Sequence, residues 1–259
     1  VYRHVRLSPG GCRAAGPQAV SLGTDQASIA ATIAGVAHAR GLPPAAVTIA
    51  YATAMQESKL HDLPSGDRDS VGVFQQRPSQ GWGRPKQLTD PVYATGKFFA
   101  ALVKVPNYLH IPLYQAAQDV QHSADGSAYM NYQQQAASMT GAFTGGRPHA
   151  VWCWYPAARS QTLDVTRMRR QMVRTFGRLD VQLDGQRSGG TLDASGWPTA
   201  AVRVRQRAAG WAVATWLVTH ASEYEISNVR YAGYQWSEAA GNHGWTRDSS
   251  APSGSVQLR

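Results

Sequence analysis

Cysteine is almost absent: Cys12 and Cys153 are the only two in 259 residues. Alone they supply neither a structural zinc or iron–sulfur ligand set nor the close spacing of a redox pair. Long apolar runs are missing too. No stretch of about 18 uncharged apolar residues occurs, so no segment reads as a membrane-spanning helix. No apolar leader follows Val1, and the expectation is that any export signal or anchor was removed or never existed. Acidic residues are scarce, 16 against 25 Lys and Arg, for a net charge of +9. That balance favours an anionic partner: nucleic acid, a lipid surface or an anionic wall polymer. Hydrophobic residues make up 43% and charged residues 16%, proportions of a globular chain rather than a disordered one.

The length suits two domains. An irregular arm rich in Gly, Pro and Arg is expected over 1–19, a mainly helical domain over 20–150, and a smaller α/β domain over 160–259, making the chain α+β. The linker is expected near 146–160. Cys12 and Cys153 stand at the two ends of the first domain. A disulfide tying those ends is the expected reading and implies an oxidising, extracytoplasmic location; two unrelated buried thiols are the alternative.

Periodicity places the helices. Asp25 is expected to cap one from Gln26 to Arg40, with Ile29, Ile33 and Val36 inward. Pro44 starts a second, running to about Leu60, that carries no charge from Ala45 through Gln56. A helix apolar nearly all round is a central, buried one. Asp90-Pro91 opens a third, with Phe98, Phe99, Leu102 and Val103 inward, and Pro112 a fourth; a fifth runs from about Ser127 to Phe143. Between them, 61–90 is rich in Gly, Asp, Ser and Pro, with Val71–Phe74 as its one strand-like run. Later come a basic helix (about Val165 to Phe176) and a Gly-rich loop at 188–190. A strand at Val202 and Val204, a helix carrying Val213, Trp216 and Leu217, a strand from Ile226 to Tyr231, and a Trp-rich end follow. Arg167, Arg169, Arg170, Arg174 and Arg178 crowd one segment. They suit an anionic wall polymer or simply a solvated face.

Chemistry concentrates after the uncharged helix. Glu57 ends it, sharing a face with Ala50, Thr53 and Ala54. A carboxyl against apolar neighbours is disfavoured as an anion, so it is expected to hold its proton and act as a general acid. Cleaving an acetal needs such a proton on the leaving oxygen. Asp67 and Asp69 lie in the polar turn Gly66-Asp67-Arg68-Asp69-Ser70. Either could stay ionised and position a water, or simply form the turn. Trp82 and Tyr93 offer faces on which sugar rings stack, or core packing. His220 and Trp216 read as core.

Glu57-Ser58, Gly66-Asp67-Arg68 and Gly72-Val73-Phe74-Gln75-Gln76 together resemble the goose-type lysozyme and soluble lytic transglycosylase group. Asp90-Pro91-Val92-Tyr93 with Phe98-Phe99 is similar to the segment that follows in that group. Residues 45–125 also resemble secreted actinobacterial wall proteins. The resemblance implies a lysozyme-like fold over about 20–145, cleavage of the β-1,4 bond between N-acetylmuramic acid and N-acetylglucosamine, and Glu57 as the catalytic acid. It implies a substrate contact at Gln75, and Gln121 falls near the Asn of a later Ala-Tyr-Asn-Ala-Gly motif; Ser58, Gln76 and Gln121 are further candidate substrate-binding residues. Two positions depart: Val120 falls at that motif's Tyr, and Gln76-Arg77 replace an Asp of the lysozymes. The reaction is then hydrolytic if Asp67 positions water. Otherwise Glu57 works alone and the sugar's C6 hydroxyl attacks, as in lytic transglycosylases. The segment from Trp211 to Trp236 resembles a small α/β domain at the C-terminus of secreted actinobacterial and some fungal proteins, for which no dependable activity is known.

The expected partners are peptidoglycan strands, with anionic wall polymers or envelope proteins besides, and neither nucleic acid nor a cofactor or metal. One rival is a secreted glycan- or partner-binding protein of weak catalysis, in which Glu57→Gln would leave binding intact. The other is a basic nucleic-acid binder, which lacks stacking aromatics among its arginines.

Overall fold

The computed structural model describes residues 10–122, 126–156, 163–183 and 200–259. The loop expected at 188–190 and linker residues 157–162 lie outside them. The described chain is a mixed helix-and-sheet protein, and no helix in it is long and apolar enough to cross a membrane.

The arm departs from expectation. Over residues 11–22 it forms β1 (Gly11–Ala14) and β2 (Val20–Leu22), paired antiparallel. Cys12, Ala14, Val20 and Leu22 are buried while Arg13 and Ser21 face out. This is strand alternation in pieces too short to stand out among Gly and Pro.

Helix α1 (Thr24–Ala39) follows, with Gly23 rather than Asp25 at its N-cap. The Gly23 N–H donates to Gln26 Oε1 at 2.7 Å, and the Asp25 carboxylate turns instead to His61 Nδ1, 2.6 Å away. Helix α2 (Pro44–Ser58) starts on its proline, as a residue with fixed φ and no N–H favours. It is buried from Ala46 to Met55, apart from the half-buried Thr48. The Tyr51 hydroxyl donates to Ala30 O at 2.8 Å, tying α2 to α1. A short α3 (Pro85–Leu88) precedes α4 (Pro91–Leu102), whose first turn is capped by the Asp90 carboxylate accepting from Val92 N–H at 3.0 Å. Val103, expected inward, is 49% exposed because α4 has ended before it. α5 (Leu113–Gln121) comes next. The helix expected from Ser127 is two pieces, a 3-10 turn over Ser127–Tyr132 and then α6 (Gln133–Phe143).

β3 (Val151–Trp154) lies inside the expected linker and pairs antiparallel with β1, giving the order β2-β1-β3. Cys12 stands opposite Cys153, and the two form a disulfide across 141 residues of sequence. Closing so long a loop stabilises by roughly 4–5 kcal/mol in the chain-entropy account.

The second half contributes α7 (Val165–Phe176), β4 (Asp180–Leu183), β5 (Ala200–Arg203), α8 (Arg207–Thr219), α9 (Ala221–Tyr224), β6 (Asn228–Tyr231), β7 (Tyr234–Ser237), β8 (Thr246–Arg247) and β9 (Ser255–Leu258). Its sheet has the order β4-β5-β9-β6-β7-β8 and is antiparallel throughout. The small α/β unit expected here is thus an antiparallel sheet with helices. Ala232 and Gly233, both at positive φ, turn β6 into β7, the backbone a two-residue hairpin requires.

One buried cluster runs through both halves. α7 and α8 pack on α1. Gly145, at φ 76°, lies so close to Ala208 that a Cβ would sit 1.9 Å from its carbonyl oxygen, so no larger residue fits. The Trp-rich end holds β3: Trp236 Nε1 donates to Cys153 O at 3.0 Å and Trp245 Nε1 to Val151 O at 2.7 Å. On α7, Met168, Met172 and Phe176 face in, while Arg167 pairs with Glu223 at 2.9 Å and Arg174 with Asp90. Arg169, Arg170 and Arg178 are exposed.

Candidate active site

The end of α2 is fixed by an unusual backbone. Lys59 and Leu60 are both left-handed, at φ 56° and 62°, a conformation that costs a non-glycine residue roughly 1–2 kcal/mol. Several groups hold it there. Lys59 N–H donates to Met55 O and Leu60 N–H to Ala54 O. Gln26 Nε2 donates to Lys59 O at 2.7 Å, and the Leu60 side chain is buried. Over-determined strain of this kind collects at functional sites. It halts the helix just past Glu57.

Glu57 is half-buried rather than fully enclosed. Its Oε1 accepts a hydrogen bond from the Tyr129 hydroxyl at 2.7 Å, and among the described residues it makes no ion pair. Tyr129 is 2% exposed and is carried by the 3-10 turn. Two residues from Glu57, the Lys59 ammonium bonds the Tyr132 hydroxyl and lies 4.6 Å from that ring's centroid.

The motif segments named from sequence meet at one piece of backbone. Ser58 Oγ donates to Val73 O at 2.7 Å, and Gln121 Nε2 to Phe74 O at 2.7 Å. Ser58, 5% exposed, and Gln121 thus hold the turn of residues 71–76 against α2 and α5. Phe74 anchors it by stacking on Phe98, with ring centroids 4.5 Å apart. The run Val71–Phe74 is no strand; one bridge between Val71 and Gln76 closes it as a turn. Gly72, at φ 78°, is required there, since a Cβ would lie 2.0 Å from Leu88 O.

The two glutamines of the motif differ. Gln75 is half-buried, accepts from Ser70 Oγ at 3.1 Å and donates to Gly72 O at 3.0 Å. Gln76 is 2% exposed and donates to Ala94 O at 3.2 Å, so it faces α4 instead of solvent. Among the described residues the buried amide oxygens of Gln76 and Gln121 meet no hydrogen-bond donor.

The turn carboxylates have surroundings of a different kind. The Asp67 side chain is 95% exposed and only 3.9 Å from an equally outlying Arg68. Its backbone carbonyl does the local work, accepting from Ser70 N–H and Oγ. Asp69 is saturated: Ser79 N–H at 2.7 Å on one oxygen, Arg77 Nε at 2.8 Å and Ser79 Oγ at 3.0 Å on the other. The Ser79 backbone bond, with Arg77 beside it, holds this carboxyl down at about 2. Asp62, not singled out by sequence, is pushed up to about 6 by burial of its carboxyl and then by the Asp90 charge.

Trp82 and Tyr93 are half-buried and adjoin each other, the Tyr93 hydroxyl donating to Trp82 O at 3.5 Å. Trp82 lines a cavity to which Glu57 does not contribute. His220 is 7% exposed, stacked on Trp216 at 4.0 Å between ring centroids, and burial holds its imidazole down at about 4. It is a neutral core histidine. Among the described residues no group of three or more His, Cys, Asp or Glu side chains is arranged to hold a metal ion.

Tyr129 is the residue that sequence reasoning missed. Its signal was the segment Ala128-Tyr129-Met130-Asn131, which supplies a tyrosine where the expected position, Val120, is buried and apolar. The chain matches no protein-family model, and no curated protein matches it.

Proposed function

We propose that the protein is a peptidoglycan-cleaving glycosidase of the lysozyme-like kind, acting on the β-1,4 bond between N-acetylmuramic acid and N-acetylglucosamine. The observation that carries this reading is Glu57 at the end of an uncharged helix, with one oxygen held by Tyr129. Joined to it, through Ser58, is the Gly72–Gln76 turn on which the family resemblance rests.

In this reading Glu57 Oε2 delivers its proton to the glycosidic oxygen as the C1–O bond breaks, and Tyr129 fixes the carboxyl's orientation. The oxocarbenium-like centre then needs a nucleophile. Asp67 points to solvent and Asp69 spends both oxygens on Arg77 and Ser79. Neither is suited to activate water beside Glu57. The C6 hydroxyl of the muramic ring is the remaining nucleophile: it attacks C1, Glu57 takes its proton, and a 1,6-anhydro end forms with the acid regenerated. The disulfide and the basic surface fit an extracytoplasmic protein working on an anionic wall.

The test is digestion of purified peptidoglycan by the wild type and by Glu57→Gln. The wild type should release muropeptides. The variant should release roughly 10²–10⁴-fold less, the usual worth of a general acid, with an unchanged melting temperature. No release by the wild type rejects the reading.

A further inference from the structure

Between α4, α5 and the turn over Pro78–Gln80 lies a cavity of about 510 Å³, lined by Trp82, Lys97, Lys104, Val105, Asp119 and His122 among others. Its chemistry is mixed in a specific way. Trp82 is half-buried and packs on the core, so the indole is a fixed surface. Lys97 and Lys104, seven residues apart on α4 and the turn that follows it, both line the cavity; the spacing separates their backbones by roughly 10 Å along the axis. Both lysines and Asp119 are exposed. Among the described residues none of the three is engaged in an ion pair. The Lys97 ammonium lies 5.5 Å from the Tyr93 ring centroid.

We propose that this cavity binds an acidic sugar: the ring stacks on Trp82, carboxylates attached to it or to its peptide are attracted to Lys97 and Lys104, and Asp119 accepts from the sugar's hydroxyl or amide groups. An apolar platform flanked by hydrogen-bonding groups suits a pyranose face. Two unpaired ammonium groups in a concave site favour a carboxylate over a neutral sugar. Asp119 argues against a phosphodiester ligand, since an unpaired carboxylate in the same cavity repels a polyanion while it can accept hydroxyl protons. This rests on the glycan reading above and sharpens it. Cleavage by Glu57 would be preceded by recognition, at a flanking site, of the carboxylates carried on muramic acid and its peptide. α5 connects the two places, because Gln121, which holds the motif turn, lies between Val120 and His122, both of which line the cavity.

The experiment measures equilibrium binding to the full chain carrying Glu57→Gln, so that nothing is turned over. The probes are a disaccharide muropeptide with free carboxylates, the neutral N-acetylchitotriose, and a single-stranded oligonucleotide. Changing Lys97→Ala with Lys104→Ala should weaken muropeptide binding at least tenfold and leave chitotriose within twofold. Trp82→Ala should weaken both sugars, and Trp82→Phe, which keeps a packed ring, should restore most of the loss. Equal effects of the lysine pair on the two sugars, no muropeptide binding, or oligonucleotide binding that tracks the lysine pair would each overturn the proposal. The two readings fail separately: a wild type that releases nothing from peptidoglycan rejects cleavage, while the lysine-dependent preference for muropeptide would still support the cavity as a saccharide site.

Discussion

The helix end at 57–60 and the Gly- and Ser-containing turn at 66–80 both carry carboxylates, yet the fold treats them oppositely. Glu57 is half-buried, and among the described residues it makes no ion pair and takes one hydrogen bond, from a neutral hydroxyl. Asp69 takes three bonds, one from a guanidinium, and sits at about 2. Among the described residues the Asp67 side chain meets only Arg68, at 3.9 Å. A carboxylate saturated with donors is held as an anion and fixes a loop, and one in open solvent is held by nothing. A carboxyl gripped at one oxygen beside apolar packing keeps the other oxygen for chemistry. Sequence places the three side by side as candidates, and only the count of donors around each separates them.

That contrast can be attacked from its strongest side first. Beyond the loss expected from Glu57→Gln, Tyr129→Phe should lower muropeptide release roughly 10–100-fold, the value of a hydrogen bond to a charged group. Its melting temperature should stay within a few degrees, because the ring remains in place. A Tyr129→Phe enzyme of wild-type rate would remove the one contact that distinguishes Glu57. Asp69→Asn should act on stability rather than rate. The Ser79 and Arg77 bonds hold its folded carboxyl down at about 2, below the ordinary aspartate value of 3.8, so the native state binds fewer protons than the unfolded chain between these values. The stability it contributes is complete above about pH 4 and lost as pH falls towards 2. Thermal melts across that window should slope less in Asp69→Asn than in the wild type. A large rate loss at neutral pH with unchanged melts would instead place Asp69 in the chemistry. Asp67→Asn should be nearly silent, within about twofold in rate and 0.5 kcal/mol in stability, as for other exposed substitutions.

Much of the frame was legible in sequence because it is local. The charge-free run from Ala45 to Gln56 marked the central helix. Pro44, Pro91 and Pro112 marked three helix starts, and Val165 and Phe176 bounded the basic helix. The cysteine pair was legible because only one pairing exists. What escaped depends on contacts between distant residues. β1 and β3 are four residues each and find one another from Gly11–Ala14 to Val151–Trp154, so neither carries enough period to be read alone. Tyr129 reaches Glu57 from 72 residues away. Gln76, a candidate sugar contact, is turned inward by its bond to Ala94. In each case the competing arrangement was decided by packing, which no single window contains.

The most direct measurement is the chemical form of the released muropeptide ends. If Glu57 works without a second carboxylate, mass analysis of the wild-type digest shows 1,6-anhydro-muramic ends, each lighter than its hydrolysed counterpart by one water, and Asp67→Asn gives the same products. Reducing muramic ends from the wild type, lost on changing Asp67, would mean that the turn positions a water after all and would contradict the account.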